Sequence, residues 1–426
     1  MKITCYPQLD ETLYTTTLPN GLSVMVVPRP GFTKKLCYLA TDFGSIHREF
    51  TLDGKVYHVP AGIAHFLEHK LFDMPGRDIT AEFSALGAVP NAFTGYDMTA
   101  YHFSCTEHFY ESLKLLLEFV YTPCFTQESV DKEQGIIGQE IDMNEDSPET
   151  CIFESLMGLM YENHPVRDPI LGTKKSIGTI TPELLNLCHK AFYRPENMLL
   201  CVVGDVDPEL VEKMALELSP KDNPKVTAVK SWQETNAVRE KLATCEMEVA
   251  MPMFQLGFKC EPLGKGEDAI RQEFLGDLAA EALFGESSRL YLKMYQEGLI
   301  DSAFGGGFET IEGMALLTAS GDSWEPEKVQ SAILEEAARI AKEGIDEVDF
   351  LRMKRSSLGR RIKGLDGFDS TCFRLCAYRF SGYDYFRFPA IYETITAQQV
   401  QEFLQRVVTE ERMSLSVINP LQEAVQ

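Results

Sequence analysis

His65-Phe66-Leu67-Glu68-His69 places two imidazoles and a carboxylate within five residues. On a helix, residues four apart stand one above the other, so His65 and His69 can share one cation while Glu68 reaches a water beside it. The order H-x-x-E-H reverses the H-E-x-x-H order of many zinc helices. With eight histidines in 426 residues, such a pentapeptide arises by chance in roughly one chain in a hundred, so a third ligand is needed to give it meaning. Catalytic zinc takes three protein ligands and keeps one position for water. The segment Glu128 to Ile141, read as a helix, aligns Glu133, Ile136, Ile137, Glu140 and Ile141 along one stripe. A carboxylate on a core-facing stripe is costly unless it meets a cation. Glu140 is therefore assigned as the third ligand, and Glu133 as a group that orients a ligating histidine. Zinc held by His65, His69 and Glu140 would bring the pKa of its water toward about 7. Glu68 would then act as general base and pass the proton to a leaving group.

The elements that must hold these helices occur twice. Ile180-Thr181-Pro182 through Val203 lines up without a gap with Ile395-Thr396-Ala397 through Ile418, each reading as a helix followed by a short apolar strand. Upstream, the helical patterns Glu107 to Tyr121 and Glu128 to Ile141 have counterparts in Glu325 to Lys342 and Glu347 to Ile362. The alternating stretches Gly21 to Pro28 and Leu36 to Phe43 correspond to Cys245 to Met251 and Phe254 to Cys260. The predicted class is α+β, with two homologous halves, each an antiparallel-rich sheet covered by helices. The predicted domains are 1–220, carrying the metal helix, and 242–426, with a polar linker at 221–241. In the second half, Ala269 to Leu278 takes the place of the metal helix and has no histidine. Gly305-Gly306-Gly307 reads as a loop or turn.

Composition narrows the setting. A length of 426 residues with 44% hydrophobic content supports more than one sizeable core. The start, Met1 to Pro7, lacks the apolar run of a signal peptide, and no stretch has the apolar length needed to span a bilayer. Eleven cysteines, an odd number scattered singly apart from Cys372 and Cys376, suggest neither a disulfide framework nor a thiolate cluster, and point to the cytoplasm. A net charge of -24 argues against nucleic acid as a partner and favours basic or neutral peptides.

The His65 to His69 motif, with Glu133 and Glu140 seven apart, resembles the pitrilysin/insulinase family of zinc metallopeptidases. The likeness continues through Gly87 to Thr94 and Thr99-Ala100-Tyr101, through His164-Pro165-Val166 with Gly172-Thr173, and through Phe192 to Met198. It implies a zinc endopeptidase that hydrolyses short or unfolded peptides. The region 87–101 would then be the edge strand that receives the substrate backbone, with Asn91, Ala92, Thr94 and Tyr101 as substrate-binding residues. The chain would be one half of a clamshell. Family enzymes also use an Arg and a Tyr seven apart in the later half, and here Met294 and Asp301 stand at those positions. That departure implies a second subunit, either a homologous metal-less chain or a second copy. The chain is closest in look to the zinc-bearing member of paired bacterial proteins, some associated with modification of elongation factor P. The alternatives are a maturation or accessory factor of that kind, or a non-catalytic structural subunit.

Overall fold

Three continuous apolar runs, Ser23–Pro28, Lys35–Thr41 and Met198–Gly204, read as strands buried on both faces, and they form the centre of a sheet. In the computed structural model, which describes residues 1–221, 223–229 and 232–421, this first sheet has seven strands. These are β1 (Lys2–Tyr6), β2 (Glu11–Thr17), β3 (Ser23–Pro28), β4 (Lys35–Thr41), β5 (Val89–Thr94), β6 (Thr99–Cys105) and β7 (Met198–Gly204). Their order is β1-β2-β3-β7-β4-β6-β5. Only β3 and β7 run parallel, with Leu199 opposite Ser23. β5 is an end strand, hydrogen-bonded to β6 alone, with Ala92 opposite Tyr101.

One face of this sheet packs on helices α1 (Ile63–Leu71), α2 (Phe109–Tyr121), α3 (Gln127–Glu145) and, after α4 (Pro148–Met160), on α5 (Pro182–Phe192). Val24, Val26, Leu39, Tyr101 and Val202 meet Phe66, Leu67, Leu117 and Phe192 there. α3 is anchored through Val130, Ile137 and Ile141. Ile136 is 44% exposed, which corrects its expected place on the buried stripe. Neighbouring helical residues stand about 100° apart, so Ile136 and Ile137 cannot both point inward from a narrow contact.

The second sheet contains β8 (Leu242–Met247), β9 (Met253–Cys260), β10 (Gly305–Ile311), β11 (Met314–Asp322) and β12 (Met413–Pro420), in the order β8-β12-β9-β11-β10. This is the order β3-β7-β4-β6-β5 over again, down to the single parallel pair, here β8 with β12. β8 stops at Met247, short of the expected Met251, where it pairs with Pro420 at the end of its partner strand. Gly305-Gly306-Gly307 opens strand β10 rather than a turn. A Cβ on Gly306 would lie 2.3 Å from the Phe284 ring and 2.5 Å from the Thr318 carbonyl, so glycine permits that close approach. The longer helices of this half are α6 (Glu267–Phe284), α7 (Arg289–Gln296), α8 (Pro326–Glu343), α9 (Glu347–Lys363), α10 (Phe368–Phe380) and α11 (Ala397–Val407). Thr181 and Thr396 cap α5 and α11 at equivalent positions, each accepting from an N3 backbone N–H.

Compactness divides the chain differently from the repeat. One unit comprises 1–141, 169–229 and 362–387, and the other 142–168, 230–361 and 388–426. α4 thus packs with the second sheet, on β12 and β9, and α10 with the first, on β7 and β4. Within the expected linker, Val226–Ala228 forms a short strand paired with residues 50–52, while 222, 230 and 231 lie outside the described residues. Among the described residues no helix is long and apolar enough to cross a membrane.

Candidate metal centre

Helix α1 starts from Gly62, whose φ of +89° suits glycine; a Cβ there would sit 2.4 Å from the Leu171 carbonyl oxygen. Ile63, Ala64, Phe66, Leu67 and Leu71 bury one side of α1 in the core. That leaves His65 and Glu68, 7% and 8% exposed, on the side toward α3 together with the half-buried His69. The His65 and His69 rings lie tilted to one another by 53°, with centres 4.5 Å apart. Glu140 of α3 faces both: its Oε1 lies 3.6 Å from His65 Nε2 and its Oε2 lies 3.7 Å from His69 Nε2. One donor atom from each of the three falls within 4.8 Å of the others.

Two ligands of one tetrahedral zinc, each about 2.0–2.1 Å from it, lie about 3.4 Å apart. The spacing of His65, His69 and Glu140 is therefore close to what a shared ion requires, and two imidazoles with one carboxylate are a donor set that suits zinc. His65 Nδ1 is buried without a hydrogen-bond partner among the described residues. Burial, aided by the neighbouring His69, pushes His65 down to about 3, so it is neutral at physiological pH, as a metal ligand must be.

Glu133 occupies the layer behind. Its Oε1 lies 3.1 Å from His69 Nδ1, and its Oε2 lies 3.7 Å from the Nζ of Lys70. Lys70 is 1% exposed and also pairs with Asp73 and donates to the Ser129 carbonyl at 3.3 Å. Burial opposes protonation of His69, but the Glu133 hydrogen bond and charge, followed by Glu68 and Glu140, outweigh it and raise its pKa. Burial also raises Glu68, against the pull of a hydrogen bond from Thr94 and the charge of His69.

Thr94 lies on the end strand β5, and its hydroxyl donates to Glu68 Oε2 at 2.6 Å. Thr99, one strand in, donates to the Phe43 carbonyl at 2.8 Å. On β5, Asn91 is exposed and its side chain accepts from the Ala92 N–H at 2.9 Å. Tyr101 is not brought to this surface. It is fully buried among Phe72 and Phe119, with its hydroxyl 2.8 Å from that of Tyr193. Its parity on β6 directs it into the core, which corrects its expected contact with substrate.

In the second unit, the helices corresponding to α1 and α3 are α6 and α9. They are joined by ion pairs, Arg361 with Asp277 and Arg360 Nη2 with Glu281 Oε2 at 2.6 Å. Met294 is buried in that unit's core, and Asp301 accepts from the Ala303 N–H at 2.7 Å in an exposed turn. Lys293 and Tyr295 are exposed on α7.

The description "Insulinase (Peptidase family M16)" matches residues 56–174, and "Peptidase M16 inactive domain" matches residues 179–357. The uncharacterized zinc protease YmfH of Bacillus subtilis is 37% identical over 97% of this chain and 98% of its own length. A second protein of that organism, the uncharacterized zinc protease YmxG, is 26% identical over 83% of this chain and 85% of its own. Among solved structures, an M16-like protein from Alicyclobacillus acidocaldarius superposes with a TM-score of 0.91 at 32% identity, over 96% of this chain and 98% of that one. The periplasmic protease PqqL of Escherichia coli shares the fold with a TM-score of 0.73 at 19% identity, over 95% of this chain and 47% of its own.

Proposed function

We propose that this chain, which belongs to the insulinase family of peptidases, family M16, is a zinc endopeptidase acting on short or unfolded peptides. The observation that carries this reading is the convergence of His65, His69 and Glu140 donors within 4.8 Å, with Glu68 beside them. His65, His69 and Glu140 would hold the ion. A zinc ion bound there supplies a Lewis acid that acidifies water and polarises a carbonyl. Glu68 takes the proton from the attacking water and returns it to the leaving amine. Thr94 occupies Glu68 Oε2, so Oε1 is the oxygen that carries the proton. Glu133 accepts from His69 Nδ1, which leaves the Nε2 lone pair for the ion, and Lys70 holds Glu133 in place.

The substrate backbone pairs with the open edge of β5 at Asn91 and Ala92, an arrangement that confers little side-chain selectivity. Eleven free cysteines support a reducing, cytoplasmic setting. A second subunit, either a metal-less homologue or another copy of this chain, would supply the substrate-clamping groups missing at Met294 and Asp301.

The test is Glu68→Gln. Elemental analysis should find one zinc per chain in both wild type and variant, while mass spectrometry of a mixed peptide library should find cleavage only with wild type. Normal turnover by Glu68→Gln, or full zinc content in His69→Ala, would falsify the assignment.

A further inference from the structure

The face of the first sheet turned away from α1 carries a second site. Strand register places Lys2, Thr15 and Met25 side by side, with Thr4 and Leu13 next to them and Thr17 beside Ser23. The helical core lies against the opposite parity, Val24 and Val26. These side chains, together with Arg379 at the end of α10 and Tyr383 and Asp384 just beyond it, line a cavity of about 350 Å³. That size is at the small end of ligand sites, which run from about 300 to 1,000 Å³.

The cavity lining carries charges of both signs. Lys2 and Arg379 have no carboxylate within 4 Å among the described residues, and both border this cavity. The hydroxyls of Thr4, Thr15, Thr17 and Ser23 flank them as donors. On the other side, Tyr6 donates its hydroxyl to Asp384 Oδ2. Asp384 Oδ1 is left buried without a donor among the described residues. A buried carboxylate oxygen with no partner is costly, and a ligand ammonium or hydroxyl would satisfy it.

We infer that this cavity binds a small zwitterion, a free amino acid or dipeptide, with its carboxylate at Lys2, Arg379 and the hydroxyls and its ammonium at Asp384 Oδ1. An anion alone would leave Asp384 Oδ1 without a donor, and a longer peptide would outgrow the volume. Such zwitterions are the class of molecule that peptide hydrolysis releases, but the site stands independently of that activity.

The experiment is calorimetric titration of the full chain with Ala-Ala, N-acetyl-Ala-Ala and Ala-Ala amide. Ala-Ala should bind, and each blocked form should bind about tenfold or more weakly, the cost of one charge-assisted contact. Arg379→Gln and the near-isosteric Asp384→Asn should weaken Ala-Ala binding to the same degree with unchanged thermal unfolding, and Glu68→Gln should leave it unaltered. Three results would overturn the inference: no heat from Ala-Ala at millimolar concentration, equal affinity for the acetylated form, or loss in Glu68→Gln with Asp384→Asn unaffected. The last would place the dipeptide at the metal centre. Loss of peptide cleavage in Glu68→Gln with intact dipeptide binding keeps the two sites separate.

Discussion

Lys70 is buried to 1% exposure, directly after the last residue of the metal motif. Its ammonium and His69 share Glu133, so removing the ammonium leaves that carboxylate with one partner fewer. Losing a partner that orients a metal ligand costs about 10- to 100-fold in affinity. Lys70→Met, which keeps the volume, should lower zinc affinity by that order in competition with a fluorescent chelator. Unchanged affinity would confine Lys70 to packing. Thr94→Val should act differently, since its hydroxyl touches Glu68 and no ligand. Zinc content and KM should hold while kcat falls about tenfold, the order of one hydrogen bond to a carboxylate; a rise in KM at constant kcat would instead make Thr94 a substrate contact. The four residues at the centre were legible because two of their spacings, four on α1 and seven from Glu133 to Glu140, are helical periods. Lys70 and the Thr94 contact were not, because each partner arrives from an element remote in sequence. Tyr101 was misplaced for a related reason: it shares a face with Thr94 and Thr99, but Phe72 and Phe119, from elements remote in sequence, cover it.

At the scale of elements, α1 depends on the glycine that precedes it. Gly62→Ala would force a side chain into the left-handed region, which costs about 1–2 kcal/mol. It would also press a Cβ against the Leu171 carbonyl at 2.4 Å. Calorimetry should show unfolding several degrees lower, with zinc affinity reduced because His65 and His69 ride on α1. Unfolding at the wild-type temperature would mean that the segment around Leu171 yields easily. The repeat was legible from its helix caps and apolar strands: Thr181 and Thr396 begin equivalent helices, and each leads into a strand of the sheet's single parallel pair. Strand limits were less legible, as β8 shows. Its end is set by where the partner strand stops, at Pro420, far downstream in the sequence.

For the whole molecule, no cluster like His65, His69 and Glu140 occurs within the second unit among the described residues. Arg360 and Arg361 bridge to Glu281 and Asp277 where α3 would present a carboxylate to histidines. Met294, in the position of an expected substrate-clamping arginine, is part of the core. The isolated chain should therefore cleave peptides feebly, and adding a metal-less homologue should raise kcat/KM by about 100-fold, the effect of one charge-stabilising donor. Sedimentation run alongside the assay decides the point. Full activity in a strictly monomeric sample would sink the requirement, and activity that appears with self-association would make the partner a second copy.

The exchange of α4 and α10 between the compact units bears on how the chain is made. The first unit draws its last segment, 362–387, from well beyond its main body, which ends at Val229. A ribosome adding about 5–20 residues per second needs roughly 8–30 s to cover that interval. Throughout it, the face of β7 and β4 that α10 covers, with Cys201 and Tyr38 among its buried residues, is nascent apolar surface awaiting its lid. A truncated message ending near residue 220 should therefore yield a sticky, chaperone-bound product rather than a free-standing metal domain, and the zinc site should mature only after translation has passed Arg387.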